Sequence, residues 1–142
     1  MNIDHAAEGP TNRRRGWIVV IALLLSAASM IIFGVWALVD ATSFVDYVNY
    51  HPNNDHIVRD AGAFQIGIGV ALLVALLSSD GPLVALAGFI VASGLHTASH
   101  YIDRHVGGHE SDVPLLAVVT VIALIGLAKR WYDLAVARGF SR

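Results

Sequence analysis

Cysteine is absent from all 142 residues. That excludes disulfides, thiolate metal ligands and cysteine nucleophiles. Charge is also scarce. Asp, Glu, Lys and Arg together make up 14% of the chain, against about 25% in an average soluble domain. Apart from Arg13, Arg14 and Arg15 there is no basic run. Nucleic acid, which is held through patches of Lys and Arg, is therefore not an expected partner. The abundance lies elsewhere: 56% of the residues are hydrophobic and the mean hydropathy is +0.62. A soluble domain this short has no way to cover so much apolar surface with polar groups.

The apolar residues fall into four long runs, at about residues 17–39, 61–79, 83–99 and 113–128. A helix needs about 20 residues, each rising about 1.5 Å, to cross a hydrocarbon core about 30 Å thick. Backbone groups in lipid must be satisfied within their own segment, so the runs are read as helices. The expected fold is all-α: an integral membrane four-helix bundle whose first partner is the lipid bilayer. The first run follows three arginines, as a secretory signal would. Its apolar stretch nevertheless continues through Met30 to Val39, beyond the short core of a cleaved signal, so it is read as a retained span.

Four spans put both termini on one side. That side carries Arg13, Arg14, Arg15, Lys129, Arg130, Arg138 and Arg142, and the opposite side carries Arg59 and Arg104. The excess of seven over two places both termini in the cytoplasm. The expected organisation is a cytoplasmic tail over 1–15, a four-span domain over 16–131 and a second cytoplasmic tail over 132–142, in a multi-pass protein of the bacterial inner membrane. Turn chemistry agrees. Ser78-Ser79-Asp80-Gly81-Pro82 reads as a tight inner turn with Pro82 opening the third run. Asn53, Asn54 and Asp55 can cap the second run, which then begins near Asp55. Residues 40–52, with Phe44, Tyr47 and Tyr50, form an outer loop suited to the membrane surface.

Six of the seven histidines fall at the outer end: His51, His56, His96, His100, His105 and His109. Two sets are ordered by helical spacing. His96, His100 and Asp103 stand at i, i+4, i+7 on one face of the third run, and His56 and Asp60 at i, i+4 on the second, beside Arg59. A tight hairpin sets Asp60 level with His100, Arg59 with Asp103 and His56 with His105. Below them run small residues, Ala63, Gly67 and Ala71 on one helix and Ala92, Gly88 and Ala85 on the other. Such stripes allow close approach of membrane helices. The expectation is a seam between the second and third runs that opens into an outer polar cluster of His56, Arg59, Asp60, His96, His100 and Asp103.

That cluster suits several roles. One is a network of interhelical hydrogen bonds and ion pairs, each worth about 0.6–2 kcal/mol. Another is a transition-metal site on His56, Asp60, His96 and His100, since imidazole and carboxylate suit zinc, copper(II), iron or manganese. A haem or a quinone held by His and Asp is a third. Hydrolysis through Ser93 or Ser99 has no supporting spacing. The leading expectation is a structural or accessory membrane protein, paired with itself or with other membrane proteins. A metal- or quinone-binding redox protein is the alternative.

The stretch Asn54-Asp55-His56-Ile57-Val58-Arg59-Asp60-Ala61-Gly62 and the stretch from His96 to Asp103 resemble small actinobacterial four-helix membrane proteins, which are similar in layout to the broader DoxX-like family. The resemblance implies that His56, Arg59, Asp60, Gly62, His96 and His100 are recurring positions. Some DoxX-like proteins are linked to quinone or thiol redox complexes, and the thiol chemistry has no residue here to perform it.

Overall fold

The computed structural model describes residues 16–139. The arginines at 13, 14, 15 and 142, which contribute to the inner charge bias, lie outside that range, as do His5 and the 1–15 tail. Among the described residues all regular structure is helical: α1 (Trp17–Val39), α2 (Ala41–Val48), α3 (Asp55–Val74), α4 (Gly81–Ile102) and α5 (Asp112–Gly139). A short 3-10 turn, Ala75–Leu77, prolongs α3. Four of these segments are long and apolar enough to cross a membrane. Their outward faces show Leu24, Leu25, Ile32, Phe64, Val70, Val84, Val91, Leu115, Val118 and Val121. Exposed apolar surface on this scale is the kind that marks contact with a membrane or with another protein.

Helix boundaries follow local chemistry. The Asn54 side chain accepts from the backbone N–H groups of His56 and Ile57, so α3 begins at Asp55, six residues before its apolar run. Asp40 caps α2 by accepting from Ser43 N–H at 3.0 Å. Pro82 sits in the first turn of α4, where its missing N–H is no loss. At the other end of the chain α5 continues as helix through Lys129 to Gly139. Residues 132–139 of the expected tail are thus helical and continuous with the fourth apolar run.

The four long helices run antiparallel around a ring in the order α1, α3, α4, α5. α3 packs chiefly on α1, α4 on α5, and α5 on α1. The shared core contains Val19, Leu23 and Ala27 of α1, Leu72 of α3, Leu86 and Phe89 of α4 and Ala123 of α5. The seam between α3 and α4 is the loose one; these helices touch sparingly although a tight turn joins them. This differs from the expected small-residue seam. Gly67 and Gly88 have no neighbour within 4 Å of a Cβ position. The close approach is made instead by Gly62 and Gly69 of α3 against Gly34, Ala27 and Ile31 of α1. Successive helical residues turn by about 100°, so Gly62 points nearly opposite to Asp60. Burying Gly62 on α1 carries Asp60 outward.

The end of the bundle that carries the α3–α4 turn is fastened by Arg130, which is only 4% exposed and donates from Nη2 to the Ser79 carbonyl. A guanidinium there also complements the carbonyl end of the α3 helix dipole. At the opposite end α2 lies beside the C-terminal end of α1, where Trp36 packs against Phe44 at 5.7 Å and Tyr47 at 4.9 Å.

Candidate functional site: a vestibule at the C-terminal end of α4

The buried residues of α4 are Pro82, Leu86, Phe89 and Ser93. Continued outward at helical spacing, this inward stripe reaches His96 and His100. Ser93 is the last position that packs tightly, and its hydroxyl shares a 2.7 Å hydrogen bond with Thr120 of α5. Above it the bundle opens. A cavity of about 260 Å³ is lined by Tyr50, His96, Ser99, His100 and Asp103. His96 lies six residues below the end of α4, about 9 Å into the span at 1.5 Å per residue, yet its side chain is exposed.

His100 is the hub. Its ring meets that of His96 edge to face, with centroids 4.7 Å apart. Its Nδ1 shares a hydrogen bond with the Tyr50 hydroxyl at 3.3 Å and lies 3.7 Å from Oδ2 of Asp112. The same Asp112 oxygen accepts from the His109 backbone N–H at 2.8 Å. Tyr50 reaches this point because two loops interlock. Gly108 N–H donates to the Asn49 carbonyl at 2.9 Å, and the Asn49 side chain donates back to the Gly108 carbonyl at 3.4 Å. His109 Nε2 donates to the Tyr47 carbonyl at 2.7 Å. Asn49 and Gly108 both take positive φ. At Gly108 the positive φ favours glycine, and a Cβ there, 2.8 Å from the Tyr50 hydroxyl and 2.9 Å from Asp112 Oδ2, would also displace those side-chain ends.

Burial, and after it the carboxylates of Asp112 and Asp103, raises the Tyr50 phenol above its ordinary pKa of 10.0. The phenol is therefore neutral, able both to donate and to accept. Asp103 lines the cavity and Asp112 stands behind His100, and among the described residues no Lys or Arg lines it. Arg104 is turned away onto Tyr101, donating to its carbonyl and covering its ring.

The six expected cluster residues divide. His96, His100 and Asp103 line the cavity together. His56 pairs with Asp60 at 3.5 Å and Arg59 with Asp55 at 3.8 Å, all within α3 and all half or more exposed except Asp55, which is slightly less so. No hydrogen bond, ion pair or ring contact joins these α3 pairs to the α4 histidines, and the expected partnerships of Asp60 with His100 and Arg59 with Asp103 are not formed. Among the described residues no group of three or more His, Asp or Glu side chains is arranged to hold a metal ion, so His56, Asp60, His96 and His100 do not converge. Tyr50 and Ser99 line the cavity and Asp112 stands behind His100; helical spacing did not reveal any of the three. Only the Gly107-Gly108 pair hinted that another backbone passes close by. Ser99 donates to Asp103 at 3.4 Å and Ser93 bonds to Thr120, so neither serine is aimed at an imidazole as a nucleophile would be.

No known family matches the chain, and no curated protein or solved structure matches it either.

Proposed function

We propose that this chain is a multi-pass protein of the bacterial cytoplasmic membrane, with both termini inside, that holds a small ligand in the His96/His100 vestibule at its outer end. The observation that carries this reading is His96. An imidazole about 9 Å below the end of its helix, exposed and without a hydrogen-bond partner among the described residues, is costly against acyl chains. Ionisable groups at such depth face water-filled cavities or functional sites. At about 260 Å³ the vestibule lies below the usual range of about 300–1,000 Å³ for organic-ligand pockets, which favours an ion or a molecule of few atoms over a haem.

A structural or accessory role is the second reading. The exposed small-residue faces around Gly67 and Gly88, open beyond each glycine, support it, because they would admit a helix of another copy or of another membrane protein. The α3 pairs support it less, since each is closed within one helix.

Single cysteines introduced into this cysteine-free chain test the first reading. In whole cells, a charged thiol reagent that does not cross membranes should label cysteines at Ser111 and at His96, and should not label one at Ser141. Protection at His96 in a variant that labels at Ser111 would put His96 in lipid or in a sealed interface and refute the vestibule. Labelling at Ser141 would overturn the orientation.

A further inference from the structure

Resting on the vestibule reading, we propose that its ligand is a divalent transition-metal ion of the zinc or copper(II) type, held by His96 and by Nε2 of His100, with Asp112 and Tyr50 orienting the His100 ring and water completing the shell.

Three features of the site converge on this ligand. The first is the pair itself. His96 and His100, one turn apart, bring their rings to 4.7 Å beside a cavity that both line, and two imidazoles at this spacing can reach one ion from a single helix. The second is the surroundings of His100 Nδ1. A neutral imidazole carries one proton, and the nitrogen without it is the ligand. Nδ1 faces the Asp112 carboxylate at 3.7 Å and the Tyr50 oxygen at 3.3 Å. In the tautomer with the proton on Nδ1, the Tyr50 oxygen accepts from it, the nearby Asp112 carboxylate favours that N–H electrostatically, and the Nε2 lone pair is free. A carboxylate behind a histidine is the usual way of fixing the ring orientation of a metal ligand and raising its basicity. The third is charge. Asp103 and Asp112 border the site and among the described residues no Lys or Arg lines it, so the local field favours a cation, while imidazole selects borderline transition metals over magnesium or calcium.

Among the described residues no third His, Asp or Glu is in place to close the shell. The site is therefore open and exchangeable, unlike the closed four-ligand sites that support a fold. It also differs from the set expected from the sequence: His56 and Asp60 have no part in it.

The test uses the full chain, purified in detergent, freed of any affinity tag and stripped with a chelator. Zinc titrated by calorimetry should saturate at one vestibule ion per chain, with no such signal from magnesium or calcium. His96→Ala and His100→Ala should each remove that binding, and Asp112→Asn should weaken it by about tenfold to a hundredfold. His56→Ala and the double variant His105→Ala/His109→Ala should retain it. Copper(II) bound to the unaltered protein should show two imidazole nitrogens by electron paramagnetic resonance, a readout that does not depend on any variant folding. Absence of saturable zinc binding would refute the metal. So would binding that survives in folded His96→Ala, or binding lost only with His56 or with His105 and His109. Cysteine labelling at position 96 separates the two levels. A labelled vestibule that binds no metal leaves the ligand-binding reading standing, whereas a protected position removes both.

Discussion

Gly34 of α1 and Gly62 of α3 stand backbone to backbone: a Cβ on Gly62 would lie 2.6 Å from the Gly34 carbonyl oxygen, and one on Gly34 would lie 2.8 Å from that of Gly62. Backbone cannot yield as the tip of a side chain can. Gly62→Ala should therefore force α1 and α3 apart and destabilise the protein by about 1–3 kcal/mol. Gly67→Ala is the control. It meets open space, and alanine's helix propensity exceeds glycine's by about 1 kcal/mol, so its effect should be neutral or favourable. Unfolding midpoints in mixed micelles compare the two; equal losses would show that the α1–α3 contact is not the tight one.

The same pair of glycines shows what was legible beforehand. Four apolar runs, the Asn54 cap and the Pro82 start are local features, and the helices follow them. Which small residues form the contact is not local. Gly67 and Gly62 are five positions apart on one helix, and either face could have been buried. The choice depends on α1, whose Ala27 and Gly34 offer a seven-residue pair to match Gly62 and Gly69. Neighbours in sequence are not the tightest neighbours in space here, so the hairpin level shared by Asp60 and His100 does not bring them together. The i, i+4 spacing of His96 and His100 was legible for the same reason as the spans. Tyr50 and Asp112 join them through a loop crossing that has no periodicity to read.

Tyr50 supplies a pH prediction. Its phenol pKa is raised, mainly by burial and then by Asp112 and Asp103, so the folded state favours the protonated form. The associated stability is fully present below the unfolded tyrosine value of about 10 and is lost as pH rises through the higher folded value. Titration of tyrosinate absorbance should show one phenol ionising later than the others, and Tyr50→Phe should remove that late component. Stability measured across the alkaline range should fall less steeply in Tyr50→Phe. An unchanged late component would assign it to another tyrosine.

The vestibule should be blind. Below His96 the polar groups of α4 end at Ser93, closed onto Thr120. Residues 17–39 of α1, 61–77 of α3, 81–95 of α4 and 113–128 of α5 contain no Asp, Glu, Lys, Arg or His. Proton and ion paths usually carry ionisable groups inside the membrane. Reconstituted proteoliposomes under a pH gradient or an applied potential should show no flux above that of empty liposomes. Flux that disappears in Thr120→Val would mean that the hydroxyl pair is a gate and not a floor.

His100 and Asp60 were level partners in the sequence reading, and the structure separates their expected importance. The side chain of His100 is 18% exposed and that of Asp112 21%, and the ring also holds Tyr50 and packs on His96. His100→Ala removes the partner of a half-buried phenol and leaves the Asp112 carboxylate with the His109 N–H alone. Leaving such groups unsatisfied costs about 1–3 kcal/mol. Asp60 is 57% exposed and its one partner, His56, is 82% exposed. A pair this open has many solvated alternatives, and exposed ion pairs contribute little. Asp60→Ala should change stability by no more than about 0.5 kcal/mol, and His56→Ala should behave alike. The double variant His56→Ala/Asp60→Ala should show no coupling with His100→Ala, because no bond, ion pair or ring contact links the two helices at this level. Thermal unfolding of the single and combined variants gives the coupling directly. A loss in Asp60→Ala as large as that in His100→Ala, or strong coupling between them, would restore the hairpin seam and dismiss the vestibule's dependence on α4 and the outer loops.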